Sequence, residues 1–211
     1  MGTNLEDKSK KLYGESNRFL WMSAKVLGFF IFGILFHLEI KGKKNIPRSG
    51  NFIIASNHSS FLDPPLIGYL CDKPIAYFTK QEQLAGFLGW LITRLGGIPI
   101  SKVAMGTSDI RCAIEVVKRG KSLLIFPEGT RTPTGHLLPA KPGIGLIVNR
   151  TRVCVIPVYI KGSFRALPPG KYFIRPGKII INVGKPCFYS PNTPYQDIAN
   201  HVMQKIAELS K

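Results

Sequence analysis

The stretch FIIASNHSSFLD, residues 52–63, decides the fold, because a largely apolar run ends abruptly in a polar turn. The run predicts a buried strand, and a helix is expected to begin at Pro64, since proline is favoured in the first helical turn and Asp63 can cap it. Across this turn the Asp63 carboxylate can reach one ring nitrogen of His58, which leaves the other nitrogen facing outward as a base. The stretch therefore predicts half of a catalytic site at the end of a strand.

The length and charge of the chain narrow the class of its partners. Its 211 residues suffice for one domain with a sizeable core, and 29 Lys and Arg against 12 Asp and Glu leave a formal net charge of +17. Such an excess predicts an anionic partner, which is a nucleic acid, an anionic membrane surface or a phosphorylated substrate. A basic surface that serves only solubility is the alternative, but solubility needs a smaller excess.

The cysteines are scattered along the chain, at Cys71, Cys112, Cys154 and Cys187. They form no Cys-x-x-Cys pair, and the four histidines do not cluster with them at the spacing of metal ligands. We therefore expect buried free thiols in a reducing compartment, and no metal site.

An apolar segment at residues 19–38 follows a polar, lysine-rich start. It approaches the length of about 20 residues that a spanning helix needs, but Lys25 interrupts it. Four interpretations compete: a buried core helix, a spanning helix, a signal sequence, and a helix that enters one leaflet of a bilayer. The last is favoured, with Trp21 at headgroup level. Neighbouring cations expected at the same level are Lys8, Lys10, Lys11 and Arg18.

Strands and helices are predicted to alternate along the rest of the chain. Strands are expected at residues 38–43, 52–56, 75–79, 98–100, 122–126, 153–160 and 179–183, the sixth interrupted by Pro157. Helices are expected at residues 64–70, 81–95, 108–119 and 143–149, and after a capping box that starts at Thr193.

This alternation predicts an α/β fold, in which helices flank a mostly parallel central sheet. We divide the chain into a membrane-anchoring segment, residues 1–37, which is basic and then apolar and helical, and an α/β domain, residues 38–211.

Three groups of polar residues come directly after predicted strands. They are His58 with Asp63, Lys80 with Lys102, and the turn of residues 128–131. In open α/β sheets such turns gather at one edge, which is where ligands bind. The two lysines and the cationic turn supply what an anionic phosphate needs, and Arg131 can bind phosphate through two parallel hydrogen bonds.

The same groups carry a resemblance to a known family. NHSSFLD, residues 57–63, fits the His-x4-Asp motif of the glycerolipid acyltransferases. TKQEQL, residues 79–84, resembles their lysine-containing segment before a Gly-Trp helix, which here contains Gly89-Trp90.

Three further blocks extend the resemblance. GIPISK, residues 97–102, is similar to the family's second block, although Ser-Lys stands where Asp-Arg is usual. FPEGTRT, residues 126–132, matches the third block, and VIPV, residues 155–158, matches the fourth. The chain is identified as a member of this family over roughly residues 38–185.

The resemblance implies the family's glycerol-3-phosphate acyltransferase-like fold and its activity. The activity is transfer of a fatty acyl group from a thioester of coenzyme A or acyl carrier protein to a glycerophosphate hydroxyl. The bacterial 1-acylglycerol-3-phosphate (lysophosphatidate) acyltransferases, which form phosphatidic acid by acylating the sn-2 hydroxyl in phospholipid biosynthesis, are the most similar subgroup. No cofactor is implied beyond the acyl thioester as co-substrate. The expected location is the cytoplasmic face of the cell membrane, on an anionic surface.

The resemblance also implies roles for residues. His58 is the base that takes the proton of the attacking hydroxyl, and Asp63 holds its ring in the required tautomer. No Ser or Cys intermediate is needed, because the lipid hydroxyl is the nucleophile. The implied substrate-binding residues are Lys80, Lys102, Glu128, Gly129, Thr130 and Arg131, with Lys141 as a secondary contact.

Several of these assignments have an alternative. Glu128 is either a substrate-side acceptor or an anchor for its own turn. Lys80 and Lys102 can each be simply solvated, and Lys102 lacks the bidentate geometry of the arginine that is usual there. Ser59 and Ser60 are expected to be polar residues at a helix start, since no Gly-x-Ser-x-Gly elbow exists.

Two rival functions remain. A non-enzymatic module that binds anionic lipid or nucleic acid would also be basic, but aromatic–basic interleaving and nucleic-acid motifs are missing, so no nucleic acid is expected. A sister acyltransferase would act on glycerol 3-phosphate or another lysophospholipid. The apolar segment at residues 19–38 favours a membrane-resident acceptor.

Overall fold

The computed structural model describes residues 18–84, 86–100 and 106–211. Its strands are β1 (Glu39–Lys41), β2 (Ile53–Ser56), β3 (Ala76–Lys80), β4 (Gly97–Ile100), β5 (Leu123–Ile125), β6 (Val155–Lys161) and β7 (Ile180–Val183). Its α-helices are α1 (Arg18–Phe36), α2 (Asp63–Leu70), α3 (Gly86–Arg94), α4 (Thr107–Lys118), α5 (Gly143–Thr151), α6 (Ser163–Ala166) and α7 (Tyr195–Glu208). Two short 3₁₀ helices lie at Lys43–Asn45 and Gln81–Leu84.

Within this part of the chain the strands form one seven-stranded sheet in the order β1-β7-β6-β2-β5-β3-β4. The five strands from β6 to β4 are parallel, β7 runs antiparallel to β6, and β1 is parallel to β7. β2 lies inside the sheet, between β5 and β6. The predicted α/β fold with a mostly parallel sheet is therefore confirmed.

The sheet is covered on both faces, as the continuous apolar runs of β2 and β5 require. Side chains alternate along β2, so that Ile54 joins the core on one face and Ile53 the core on the other. Helices α1, α2 and α6 cover the first face, and α4, α5 and α7 cover the second. This arrangement leaves the carboxyl edge of the strands open for the turns that follow them.

The sixth strand differs from its prediction, because Pro157 does not interrupt it. Pro157 pairs with Ala55 on the β2 side, and its carbonyl accepts a hydrogen bond of 2.8 Å from the N–H of Gly184 on the other side. β7 ends at Val183, so the partner that an N–H group at residue 157 would need lies beyond the end of β7. The missing N–H of proline therefore leaves no gap in the paired part of the sheet. Position in the sheet, rather than residue type, makes the proline tolerable.

Two predicted helices also differ from those in the structure. α7 begins at Tyr195 after Pro194, and no side-chain capping bond forms there, so the capping box at Thr193 was wrong. The single helix predicted at residues 81–95 is a 3₁₀ turn followed by α3, whose first residue, Gly86, has φ of 63°. A left-handed residue cannot continue a right-handed helix.

Helix α1 occupies the apolar segment and is long and apolar enough to cross a membrane by length and composition. One side packs on the domain: Phe36 is buried, and the Phe32 and Tyr69 rings pack edge to face with 5.4 Å between centroids. Lys25 faces this side too, where its Nζ donates to the Cys71 carbonyl at 2.8 Å and lies 3.6 Å from Asp72. The cation within the apolar segment is thus turned toward the protein.

The opposite side of α1 exposes apolar side chains, so the helix is not a buried core helix. They are Phe19, Met22, Val26, Leu27, Phe29, Phe30, Ile31, Ile34 and Leu35. Trp21 does not lie among them: it is 8% exposed and lies under Lys25, whose Nζ is 4.7 Å from its ring. It therefore faces the protein side of the helix, and its place at headgroup level stays a prediction. Lys8, Lys10 and Lys11 lie outside the described residues.

Candidate active site

The predicted site residues come together at the carboxyl edge of the sheet. His58 follows β2, Lys80 ends β3, and the turn of residues 128–131 follows β5. These three strands are neighbours, in the order β2-β5-β3, so the turns after them meet. Lys102 lies outside the described residues.

The Asp63 carboxylate binds the His58 ring and the turn that carries it. Its Oδ2 lies 3.0 Å from His58 Nδ1 and accepts the backbone N–H groups of Ser59 and Ser60, each at 2.7 Å. Asp63 is fully buried and is the first residue of α2, so it binds the turn before the helix and does not cap the helix as predicted. With Nδ1 engaged, Nε2 is the ring nitrogen available to a substrate.

The backbone of His58 is held by the turn after β5. The N–H of His58 donates to Glu128 Oε1 at 2.9 Å, and the His58 carbonyl accepts from the N–H of Thr132 at 2.9 Å. The imidazole also stacks on the Phe126 ring, with 3.8 Å between centroids and 13° between planes. The His58 ring is therefore held at its edge by Asp63, on its face by Phe126 and through its backbone by Glu128.

Glu128 itself is 2% exposed, and its second oxygen accepts the N–H of Leu138 at 2.9 Å. Burial raises the pKa of Glu128 above its ordinary value, although the N–H groups of His58 and Leu138 oppose the shift. Both oxygens thus bind backbone groups of other segments. Glu128 therefore anchors the turn of His58. The sequence had left open whether Glu128 anchors its own turn or accepts a hydrogen bond from the substrate.

Arg131 carries a hydrogen-bonding group without a protein partner. Its guanidinium lies over the Phe61 ring, 3.5 Å from the centroid, and its Nη1 is buried without a hydrogen bond among the described residues. Burial lowers the pKa of Arg131, and the charge of Asp63 opposes that shift. A buried guanidinium N–H that lacks an acceptor is costly unless an anionic ligand supplies one.

These groups line one cavity of about 160 Å³. Its polar lining consists of His58, Thr79, Lys80, Gly129, Thr130 and Arg131. Its apolar lining consists of Phe61, Pro64, Tyr77, Phe78, Ile100, Leu124, Ile125 and Phe126. An imidazole, two cations and an apolar wall therefore line the same cavity. Glu128 is not among the residues that line it.

Gly129 is favoured in this turn by its positive φ, and the Lys141 side chain lies against it. It has φ of 69°, and a Cβ there would lie 2.8 Å from Lys141 Cδ. The Lys141 side chain thus lies against the turn that lines the cavity, as a secondary contact would require.

The two serines after His58 are structural. Ser59 Oγ lies 3.0 Å from Ser163 Oγ at the start of α6, and Ser60 Oγ donates to the Leu167 carbonyl at 2.8 Å. Both serines are buried, as expected of polar residues at a helix start and not of a nucleophile. Their hydrogen bonds join the His58 turn to the segment that follows β6.

Sequence reasoning missed four contacts of the site. Phe61, Phe126 and Thr132 lie within the family motifs but had no predicted role, and Ser163 gave no signal, because the partners of all four are remote in sequence. In the part of the chain that the structure describes, no three His, Cys, Asp or Glu side chains are grouped to hold a metal ion.

Comparison with known proteins identifies a matching family and similar chains. The family model described as Acyltransferase matches residues 37–161. The chain is 27% identical over 151 residues to the 1-acyl-sn-glycerol-3-phosphate acyltransferase of Bacillus subtilis strain 168, covering 71% of this chain and 73% of that protein. It is 30% identical over 195 residues to the chloroplastic 1-acyl-sn-glycerol-3-phosphate acyltransferase BAT2 of Brassica napus, covering 90% of this chain but only 54% of that protein.

A solved structure is also similar. The 1-acyl-sn-glycerophosphate (LPA) acyltransferase PlsC from Thermotoga maritima superposes with a TM-score of 0.77 at 30% identity, covering 92% of this chain and 80% of that one. The chain spans about half the length of its chloroplast relatives, 54% of the Brassica protein and 52% of LPAT1 of Arabidopsis thaliana.

Proposed function

The chain belongs to the acyltransferase family, and we propose that it transfers a fatty acyl group from an acyl thioester to the sn-2 hydroxyl of 1-acyl-sn-glycerol 3-phosphate, forming phosphatidic acid. One observation carries this proposal. A histidine bonded to a buried carboxylate shares a cavity with an arginine whose Nη1 lacks a hydrogen-bond partner within residues 18–84, 86–100 and 106–211. The base and the phosphate ligand thus line one cavity, as an acceptor that carries a hydroxyl and a phosphate requires.

In the proposed mechanism His58 is the general base. As the acceptor oxygen attacks the thioester carbonyl, Nε2 takes the hydroxyl proton, and Asp63 stabilises the imidazolium that forms. Collapse of the tetrahedral intermediate breaks the carbon–sulfur bond, and the imidazolium returns the proton to the departing thiolate. The products are the ester and a free thiol, and no cofactor is consumed.

The acceptor phosphate is assigned to Arg131 and the neighbouring cations. The guanidinium can offer parallel N–H donors to two phosphate oxygens, and Lys80 adds a point charge to the same cavity. Gly129 and Thr130 line the same space, and Lys102 is proposed as a further cation. Tyr77 and Phe78 supply an apolar wall for hydrocarbon.

Glu128 is proposed as a positioning residue for His58. In Glu128→Gln, one backbone N–H faces an amide NH₂ in place of a carboxylate oxygen, so the His58 turn should shift. We expect kcat to fall by roughly 10²-fold, because a small displacement of a catalytic group has that effect, while KM for both substrates stays unchanged. Steady-state kinetics with each substrate varied measures this.

The control is Glu115→Gln, at an exposed carboxylate on α4, which should leave both constants unchanged. A raised KM for the phosphorylated acceptor with a normal kcat would instead assign Glu128 to substrate binding.

The apolar side of α1 is proposed to attach the protein to the cytoplasmic face of the cell membrane, with residues 1–37 as anchor and 38–211 as the acyltransferase domain. The exposed apolar side chains of α1 suit the hydrocarbon boundary, and the net charge of +17 suits an anionic surface. Acyl-coenzyme A and acyl carrier protein are the proposed donors.

The double variant Phe30→Asp/Ile34→Asp tests this attachment. Both side chains are exposed one turn apart, so the fold should persist. An aspartate costs about 2.5–3.5 kcal/mol at the centre of a membrane helix, so we expect release from anionic vesicles in sedimentation. Phe188→Asp, at an exposed aromatic outside α1, should remain bound. Retention of the double variant on the vesicles would contradict the assignment.

Deletion of α1 is less informative than this double variant, since it would uncover the core around Phe36.

The proposed function is tested with purified protein and a panel of acceptors. Lysophosphatidate, glycerol 3-phosphate and lysophosphatidylcholine are each paired with acyl-coenzyme A and with acyl carrier protein. We expect lysophosphatidate to be the preferred acceptor by kcat/KM. Preference for glycerol 3-phosphate or lysophosphatidylcholine would assign a sister activity. The absence of transfer to every acceptor would contradict the proposed acyltransferase activity.

A further inference from the structure

The loop PPGKYFIRPGK, residues 168–178, carries an exposed apolar cluster that the proposed chemistry does not use. Tyr172 is 93% exposed, Phe173 is 86% exposed, and Ile174 is about half exposed. The flanking Lys171 and Arg175 are exposed as well. Three consecutive apolar side chains held in water between cations are unusual on a soluble surface.

The loop is hydrogen-bonded to the end of α1. The N–H of Gly177 donates to the Leu35 carbonyl at 3.0 Å, and the N–H of Ile179 donates to the Phe36 carbonyl at 2.9 Å. Lys178 adds an ion pair of 2.8 Å with Glu39, directly beyond the helix. The apolar cluster is therefore attached to the last turn of the helix whose outer side is itself apolar.

The other end of the loop reaches the catalytic turn. The N–H of Arg175 donates to the Ala166 carbonyl at 2.8 Å, and the next carbonyl, that of Leu167, accepts the hydroxyl of Ser60 at 2.8 Å. Ser60 is two residues from His58. One short segment thus connects the end of α1 to the edge of the sheet where the cavity lies.

We propose that this loop is a second membrane contact, in which Tyr172, Phe173 and Ile174 enter the interface of an anionic bilayer and Lys171 and Arg175 meet its headgroups. Aromatic side chains flanked by cations suit that boundary. With α1 it gives the domain two attachment points, which fix its orientation and turn the cavity edge toward the lipid. The inference rests on the proposed attachment through α1.

A bilayer fits the loop better than an acidic protein such as a carrier. Cations alone would suit either partner, but the apolar cluster belongs to a loop that is hydrogen-bonded to the last turn of α1, whose outer side is also apolar. A carrier that docked here would compete with the surface to which α1 is assigned.

The test places a tryptophan probe in the loop. Trp21→Phe and Trp90→Phe remove both native tryptophans, and Phe173→Trp adds one to the full-length protein. We expect vesicles that contain anionic lipid brominated on its acyl chains to quench the probe at least about twofold, because quenching requires contact with the hydrocarbon boundary.

The matched control is Phe188→Trp in the same background. Phe188 is 79% exposed but follows Cys187, which pairs with Val155 at the start of β6, whereas the loop follows the end of β6. The two probes therefore lie toward opposite edges of the sheet, and the control should not be quenched.

Three results would overturn the proposal: no quenching at 173, equal quenching at both positions, or a change at 173 that acyl carrier protein causes and vesicles do not. Quenching needs no turnover, so it is separable from the proposed function. A protein that is quenched at 173 but acylates no acceptor would keep the loop assignment and lose the enzymatic one.

Discussion

The His58→Ala variant should lose acyl transfer almost completely. A positioned general base contributes roughly 10²–10⁴ in rate, so kcat should fall by about that factor when the imidazole is removed. The Asp63 carboxylate would keep its bonds to the N–H groups of Ser59 and Ser60, so the turn itself should survive. Thiol release from acyl-coenzyme A in the presence of lysophosphatidate measures the rate, and the midpoint of thermal unfolding reports the fold.

His201→Ala is the matched control, because that imidazole is exposed on α7 and pairs with the Tyr189 hydroxyl at 3.0 Å. It should transfer acyl groups at the wild-type rate. Asp63→Asn should resemble His58→Ala, since an amide cannot hold the same tautomer or stabilise an imidazolium. Wild-type turnover in His58→Ala would contradict the base assignment.

The Arg131→Ala variant should lose affinity for the phosphorylated acceptor. A hydrogen bond to a charged group contributes about 1.5–3 kcal/mol, which corresponds to a rise in acceptor KM of roughly 10- to 150-fold. KM for the acyl donor should change little. Arg131→Lys should fall between alanine and wild type, because it keeps the charge but loses the parallel donors.

The control is Arg119→Ala, at an exposed arginine at the end of α4, just before β5 and hence at the opposite edge of the sheet. It should leave both KM values unchanged. Equal rises in the KM of donor and acceptor in Arg131→Ala would mean that the guanidinium supports the cavity through its contact with Phe61 and does not bind phosphate.

The sheet was predictable from sequence because its central strands are buried on both faces. Such strands must be apolar throughout, so β2 and β5 stand out between polar turns. Their parallel order also brings the turns after them to one edge, which is why His58 and Arg131 could be expected together. Pro157 was misjudged, since only the register shows that its missing N–H lies beyond the end of β7.

The supporting contacts of the site were not predictable in the same way. Glu128 binds the N–H of His58 across 70 positions of chain, and no periodicity marks such a reach. The stacking of Phe126 on His58 and the cation over Phe61 depend on how two turns face each other. The link between the 168–178 loop and α1 is made by backbone groups, which carry no residue-specific signal.

The proposed mechanism requires that one cavity both activates a lipid hydroxyl and holds the phosphate near it. The most direct measurement compares acylation of lysophosphatidate with that of the monoacylglycerol of the same chain, using purified protein in anionic vesicles and acyl-coenzyme A. Phosphatidic acid is the expected product, formed at least about tenfold faster per acceptor than diacylglycerol, because Arg131 contributes only when the phosphate is present. Equal rates with the two acceptors, or release of free fatty acid in place of a new ester, would contradict it.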